Sequence, residues 1–521
     1  MSHQKSARRW ASMFGILAFV AATLLGAGGE LVDRAVGQAE AEETSEQADS
    51  KEAEAKPLAR KARPETASDE AVAELREKID GVLGSRISSK AKVGIVAVDT
   101  TTGQVLYERN GSEQFNPASN MKLLTSATAL DHFGPSHTFE TTLLASSPEK
   151  GTVDGPLYVR GEGEAFLLFE DFIDWAAELK LEGIERIKGD IVIDDTVFKG
   201  EYLPPGFGQK DEDASYRSPI GAVSVNFNAV TAIVEPNGTR KPSVRLFPPN
   251  GHVRVVNQAR TVGGSGQSLS FSSEPTEGGA TELVIGGAIG SSSDPVRSRL
   301  RIDNPPLYAG SVLVKALEMV GIAVEGKVRT GKVPERADVV VEHESQPLSY
   351  IALAMNKWSN NFMAEQLLRT LGRLDDEEPS TWKVARQRVL DFLKRVGIDT
   401  ESVSIKNGSG LYDGNLVSPR QFVRLLTFML DHPAGPEFVS SLAVAGRDGT
   451  LKERLEGEAT AGKVRGKTGT LNQVSALSGY VTTASGREVA FSILLNDTPR
   501  RGWRYRPAQD AIVEALAGFE R

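Results

Sequence analysis

The sequence predicts a mixed α/β (α+β) protein, with helix and strand patterns toward both ends of the chain and a long strand-rich stretch between them. Three features of the 521 residues lead there. Apolar residues at helical spacing recur near both ends of the chain. Strand patterns stand beside them, KVGIVAVD and QVLYERN early, ALSGYVTT and EVAFSILLN late. Between Thr138 and about Asn304, short strands alternate with glycine, proline and asparagine turns.

At the N-terminus, Lys5, Arg8 and Arg9 precede the apolar run WASMFGILAFVAATLLGAG, and the small residues of GQA follow, ending at Ala39. That layout reads as a signal peptide over 1–39, with export to the periplasm or the outer face of the cytoplasmic membrane. Retention as a single anchor is the alternative, and an uncleaved N-terminus would give weak or transient membrane association. Residues 40–67 hold no aromatic residue and only Leu58 as a large aliphatic, amid charges of both signs. Such a stretch cannot bury enough apolar surface to order itself, which predicts a disordered charged linker. Order is expected from Ser68, an N-cap followed by Asp69 and Glu70, with Val72, Leu75, Ile79 and Val82 at helical spacing.

KVGIVAVD and QVLYERN flank the turn TTTG as a hairpin. In FNPASNMKLLTSATAL, Pro117 suits a first helical turn and Met121, Leu124 and Leu130 form an apolar stripe. Ser119 then stands at a helix start with Lys122 one turn along on the same face. GPLYVRG, EDFIDWAAELKLEG and GDIVIDD make a strand–helix–strand unit, and RLFPPNGHVRVVNQ and SLSFSSEPTEGG read as short strands. DNPPLYAGSVLVKALEMVG returns to helix, and the last third holds several helices, the late strand pair and a closing helix.

Composition excludes several classes. A net charge of −9 without a basic stripe gives no footprint for nucleic acid. With no cysteine, disulfides, thiolate nucleophiles and cysteine metal sites are ruled out. DEDAS, from Asp211, resembles the start of a calcium loop, but Tyr216 occupies the required glycine position, and neither metal nor cofactor is expected.

Ser119 as an acyl-transfer nucleophile needs a base and donors for an oxyanion. Six histidines are scattered at 3, 132, 137, 252, 343 and 432, and no GxSxG elbow is present, which leaves a lysine base. For Lys122 to serve near neutral pH its pKa must fall from roughly 10.4 to near 7, worth on the order of 4 kcal/mol. Burial and a second cation would both push that way. VRGKTGTLNQ supplies Lys467, followed by Thr468, Gly469 and Thr470. A phosphate loop is the rival reading of GKT, but position 461 is alanine where that motif needs glycine, and strands follow instead of a helix. KWSNNFMAEQLLRTLG adds Ser359 and Asn361, with Ser359 alternatively a plain cap opening the helix through Leu367. All three stretches lie at element boundaries, where side chains from separate elements converge.

The ordered trio S-x-x-K, S-x-N and K-T-G is the signature of the serine penicillin-recognising enzymes. Among them the chain resembles the D-alanyl-D-alanine carboxypeptidase/endopeptidase family of the penicillin-binding protein 4 type, peptidase family S13. Ser119 and Ser359 are 240 positions apart, and GDIVIDDTVF, SPIGAVSVNFNAV, DNPPLYAG, NGSGLYDGNLVSP and GRDGTL resemble further family blocks. Two departures stand out: Asn407 where the family usually has aspartate, and GEGEAFLL in place of GDPTL.

This resemblance implies a serine β-lactamase/transpeptidase-like catalytic domain over 68–139 and 303–521, with helices packed on an antiparallel sheet, interrupted by a large two-part insert rich in β-strands. A first insert would occupy 140–222 and 280–302, and a second β-rich insert 223–279. It further implies a D-Ala-D-Ala carboxypeptidase and/or endopeptidase acting on peptidoglycan stem peptides and acylated by β-lactams. Ser119 would attack, Lys122 take its proton, and Ser359 with Lys467 pass a proton to the leaving amine. Asn361 would bind the acyl chain, Lys467 and Thr468 the terminal carboxylate, and the Ser119 and Thr470 N–H groups the oxyanion, with Gly469 between them. The alternatives are a β-lactamase-like hydrolase, for which no E-x-x-x-N pair lies between Ser119 and Ser359, and a non-catalytic cell-wall-binding homologue.

Overall fold

The computed structural model describes residues 65–520 except Thr239 and 374–377, and the expected signal peptide over 1–39 and the linker through residue 64 lie outside the described residues. Packing starts just ahead of the expected cap. Ala67 is buried and exchanges hydrogen bonds of 2.8 and 3.0 Å with the Gln104 side chain. Ser68 then caps α1 (Asp69–Arg86), its Oγ accepting from Ala71 N. The core face of α1 ends in Leu83 rather than Val82, because Leu83 is the residue four on from Ile79.

β1 (Lys92–Asp99) and β2 (Val105–Arg109) form the expected hairpin. A 3-10 turn, Ala118–Asn120, leads into α2 (Met121–Phe133). Every residue of α2 from Met121 to Leu130 is buried, so this helix runs through the body instead of lying on its surface. Its polar side chains are satisfied by their own turns, with Ser126 and Thr128 each donating to the carbonyl four residues back at 2.7 Å. Lys122 has no such option, and its ammonium must find partners in the site.

The insert opens with β3 (Glu140–Ala145), β4 (Leu157–Gly161), α3 (Phe169–Leu181) and β5 (Ile191–Asp194). Then come β6 (Ala229–Asn237), β7 (Arg240–Phe247), β8 (Val253–Asn257), β9 (Arg260–Val262), β10 (Gln267–Pro275), β11 (Thr281–Gly290) and β12 (Val296–Arg301). α4 (Pro305–Met319), β13 (Val328–Thr330) and β14 (Asp338–Glu344) complete it. One sheet runs β13-β5-β4-β3-β14. Residues 305–344, which the sequence had suggested for the serine-bearing body, therefore pair and pack with the first insert, since β14 lies antiparallel to β3 and α4 shares its buried core. Likewise the second β-rich part does not close at 279, because β11 is the central strand of its four-stranded sheet and β12 pairs with β6.

The chain re-enters the body with α5 (Leu348–Trp358), α6 (Asn361–Thr370), α7 (Trp382–Arg395), α8 (Pro419–Asp431) and α9 (Gly435–Ser441). β15 (Ala443–Val444), β16 (Val464–Leu471), β17 (Val474–Thr482), β18 (Glu488–Asn496) and α10 (Arg506–Ala517) follow. The main sheet runs β15-β16-β17-β18-β1-β2 with every neighbouring pair antiparallel. α1 and α10 bury one face of it, and α2 and α5–α9 form the core on the other. With both faces covered, β17 and β18 are buried almost end to end.

Candidate active site

Ser119 sits in the 3-10 turn ahead of α2, half-buried, and follows Ala118 at φ 46°, a left-handed conformation that an alanine pays to adopt. The turn is wedged between two close backbones. A Cβ on Gly469 of β16 would stand 2.9 Å from Pro117 O and 3.0 Å from Ser119 N, and one on Gly410 would stand 1.8 Å from Ala118 O. Gly469 therefore acts through the room it leaves, bringing β16 against the serine's own backbone. Gly469→Ala is expected to push the strand off the turn and cut acylation by a β-lactam about 100-fold, a loss in line with a displacement near 1 Å. Stopped-flow acylation beside a thermal melt checks this, and an unchanged rate would show that the close approach does not matter.

Lys122 is wholly buried. Its Nζ donates to Ser119 Oγ at 3.1 Å, Asn361 Oδ1 at 2.8 Å and the Ser409 carbonyl at 2.8 Å. Two of these partners can only accept. The Asn361 orientation is set because its Nδ2 donates to Tyr216 O at 3.0 Å. Tyr216 arrives on an insert loop pinned by the buried Arg217, which donates to the carbonyls of Phe207 and Glu212, both at 2.6 Å. When Lys122 is neutral, its two hydrogens belong with Asn361 and Ser409, and its lone pair faces the one partner that owns a proton, Ser119. Asn361, expected on the acyl chain, also ties Lys122 to the insert loop through the two ends of its amide.

Across the site, Lys467 is also wholly buried, its Nζ donating to Ser359 Oγ at 2.8 Å and Thr468 O at 3.0 Å. Ser359 does not open the next helix. It ends α5 at φ 56°, and Asn360 caps α6 by accepting from Met363 N at 3.1 Å. The Ser359 hydroxyl is thereby released from capping and meets Lys467. Thr468 donates to Thr450 Oγ1 at 2.8 Å, and Thr470 is half-buried with Arg506 near its hydroxyl. Ser119, Asn361 and Thr470 all open onto a cleft of about 810 Å³ that also meets Tyr216, Tyr412 and Trp503. A separate hollow of about 440 Å³, bordered by Glu140, Arg160 and Asp194, contains none of these groups.

The electrostatics depart from expectation in one respect. Burial pushes Lys122 down to about 7, but the opposing influence is the Glu365 carboxylate, which raises it. The repulsion between the two lysines falls on Lys467, held well below its ordinary value by burial and then by Lys122. Glu365 was missed in the sequence. It is fully buried on α6, one turn beyond Asn361, and accepts from Ser409 N at 2.8 Å and Gly408 N at 3.1 Å. A lone acid in the apolar run FMAEQLL was the available signal.

The Asn407 departure also resolves. Asn407 is buried, donates from Nδ2 to Leu411 O and Pro205 O, and accepts through Oδ1 from Gly410 N and Asn415 Nδ2. It braces its own loop as a donor and acceptor at once, which an aspartate could not do. The carboxylate acting on Lys122 is Glu365.

A half-buried serine bonded to a buried lysine, with a second serine–lysine pair whose lysine lies on the glycine-bearing strand packed against that serine, places the protein among the serine penicillin-recognising enzymes. More narrowly, the chain belongs to the D-Ala-D-Ala carboxypeptidase 3 (S13) family, whose model matches residues 75–518. The D-alanyl-D-alanine carboxypeptidase of Actinomadura sp. (strain R39) is 36% identical over 470 residues, 87% of this chain and 86% of that protein. D-alanyl-D-alanine carboxypeptidase DacB of Haemophilus influenzae is 27% identical over 418 residues, 80% of this chain and 87% of the relative. The crystal structure of penicillin binding protein 4 (dacB) from the same organism matches with a TM-score of 0.72 at 25% identity, covering 83% of this chain and 97% of that one.

Proposed function

We propose that the enzyme removes the terminal D-alanine from peptidoglycan stem peptides, outside the cytoplasmic membrane, through an acyl-enzyme on Ser119. The observation that carries this is the Lys122 amine, whose two acceptor-only partners leave its lone pair for the Ser119 hydroxyl at 3.1 Å. Lys122 takes that proton as Oγ adds to the carbonyl of the D-Ala-D-Ala bond. The N–H groups of Ser119 and Thr470 receive the developing oxyanion, where one donor is worth about 3 kcal/mol. Ser359 with Lys467 passes the proton that Lys122 took on to the departing amine, which leaves both lysines as they began, and D-alanine leaves. Water then adds to the ester, and Ser119 recovers its proton. Thr468 and Lys467 hold the substrate's terminal carboxylate, and a strained lactam follows the same first step but departs slowly. Residues 68–139 and 345–521 form the catalytic domain in this reading, with 140–344 as the insert.

The test is incubation with purified peptidoglycan fragments and mass analysis of the products. Loss of one alanine from pentapeptides is expected. Splitting of cross-linked dimers would add endopeptidase activity. Neither product, with no covalent adduct from labelled penicillin, would sink the proposal and favour a non-catalytic wall-binding protein.

A further inference from the structure

We propose that Glu365 is a positioning residue that sets both the aim and the base strength of Lys122. This rests on the reading of Lys122 as the general base.

Two geometric facts support it. A single residue, Ser409, gives its N–H to Glu365 at 2.8 Å and its carbonyl to Lys122 at 2.8 Å. The carboxylate therefore holds the acceptor that steers the amine. Asn361 and Glu365 also stand one turn apart on α6, so one rigid helix presents both the direct acceptor of Lys122 and the brace of the other. Neither polar atom of Glu365 faces solvent, and with Gly408 N at 3.1 Å it accepts from two successive backbone N–H groups.

The charge matters as well as the hydrogen bonds. Two amines are buried in this site, but only Lys122 has a carboxylate acting on it. Besides burial, the charge acting on Lys122 is that of Glu365, and the charge acting on Lys467 is that of Lys122. Burial alone would leave both lysines too weak as bases, since a neutral amine with a very low pKa holds a proton poorly. Glu365 raises Lys122 against its burial; burial in turn raises Glu365 itself, opposed by the hydrogen bonds from Ser409 and Gly408 and by the Lys122 charge.

The experiment is the pH profile of second-order acylation by a chromogenic β-lactam, for wild type, Glu365→Gln and Glu365→Asp. Acylation needs neutral Lys122, so the acid limb reports its ionisation. Removing the negative charge should move that limb about one pH unit lower. The plateau should fall roughly tenfold as the Ser409 carbonyl loosens. Glu365→Asp, which keeps the charge, should return the limb most of the way. An acid limb at the wild-type position in Glu365→Gln would make the residue a loop brace only and overturn the proposal. Should the variants not fold, carbon-13 glutamate NMR of the wild type decides. Glu365 is expected to be ionised while Lys122 titrates, and a carboxyl protonated throughout that range overturns the proposal. Wild type that fails to acylate at all would instead remove the underlying reading of Lys122.

Discussion

Ser119→Ala is expected to abolish both covalent labelling by penicillin and release of D-alanine while the protein stays folded. The loss should be on the order of 10⁶ in turnover, the scale seen when the nucleophile of a cooperating set is removed. Stability should change little, within about 0.5 kcal/mol, because Ser119 is only half-buried and Lys122 keeps Asn361 Oδ1 and the Ser409 carbonyl as acceptors. Mass spectrometry of the protein after incubation with a β-lactam, beside a thermal melt, reads both parts. An adduct of the expected mass on the variant would remove Ser119 from its role.

Lys122→Ala should slow acylation by about 10³–10⁴-fold, the upper range for a general base, while non-covalent substrate binding persists. The pH behaviour of the wild type supplies the matching observation. Burial holds Lys122 down at about 7. Below that pH the amine is charged in the folded enzyme and cannot take a proton, so the acylation rate should fall about tenfold per pH unit. Above it the rate should level off. The sign follows from a lysine whose folded value lies below its unfolded one: the protonated form is lost as pH rises, and activity appears with that loss. A rate flat from pH 5 to 9, or an alanine variant acylated at the wild-type rate, would rule out the lysine-base mechanism.

Much of this site was legible before any coordinates. Ser119 and Lys122 lie one helical turn apart, so their contact follows from local geometry. Gly469 stood out only as part of K-T-G, and the 2.9–3.1 Å contacts a Cβ would make there give that glycine its physical reason. The terminal strands were readable because their apolar runs are long and continuous. What escaped were relationships between segments. Ser359, expected to work with Lys467, had a plain cap opening the next helix as its alternative reading; the neighbouring Asn360 takes that capping role and leaves the serine hydroxyl for Lys467. Asn361 was assigned to substrate from its motif, and the motif gave no sign that its amide also bridges Lys122 and an insert carbonyl. The boundary expected at 303 moved because β14 pairs with β3 across nearly two hundred residues. No local pattern encodes such pairing.

By itself, the sequence determined the kind of chemistry: a serine nucleophile with lysine partners, no thiol, no histidine triad, on helices and an antiparallel sheet. Those conclusions need only residue types and short spacings. The tertiary structure alone decided what surrounds Lys122. Its Asn361 and Ser409 acceptors, and Glu365 behind Ser409, are brought to α2 by helix packing and a loop from far along the chain, contacts that no local spacing encodes.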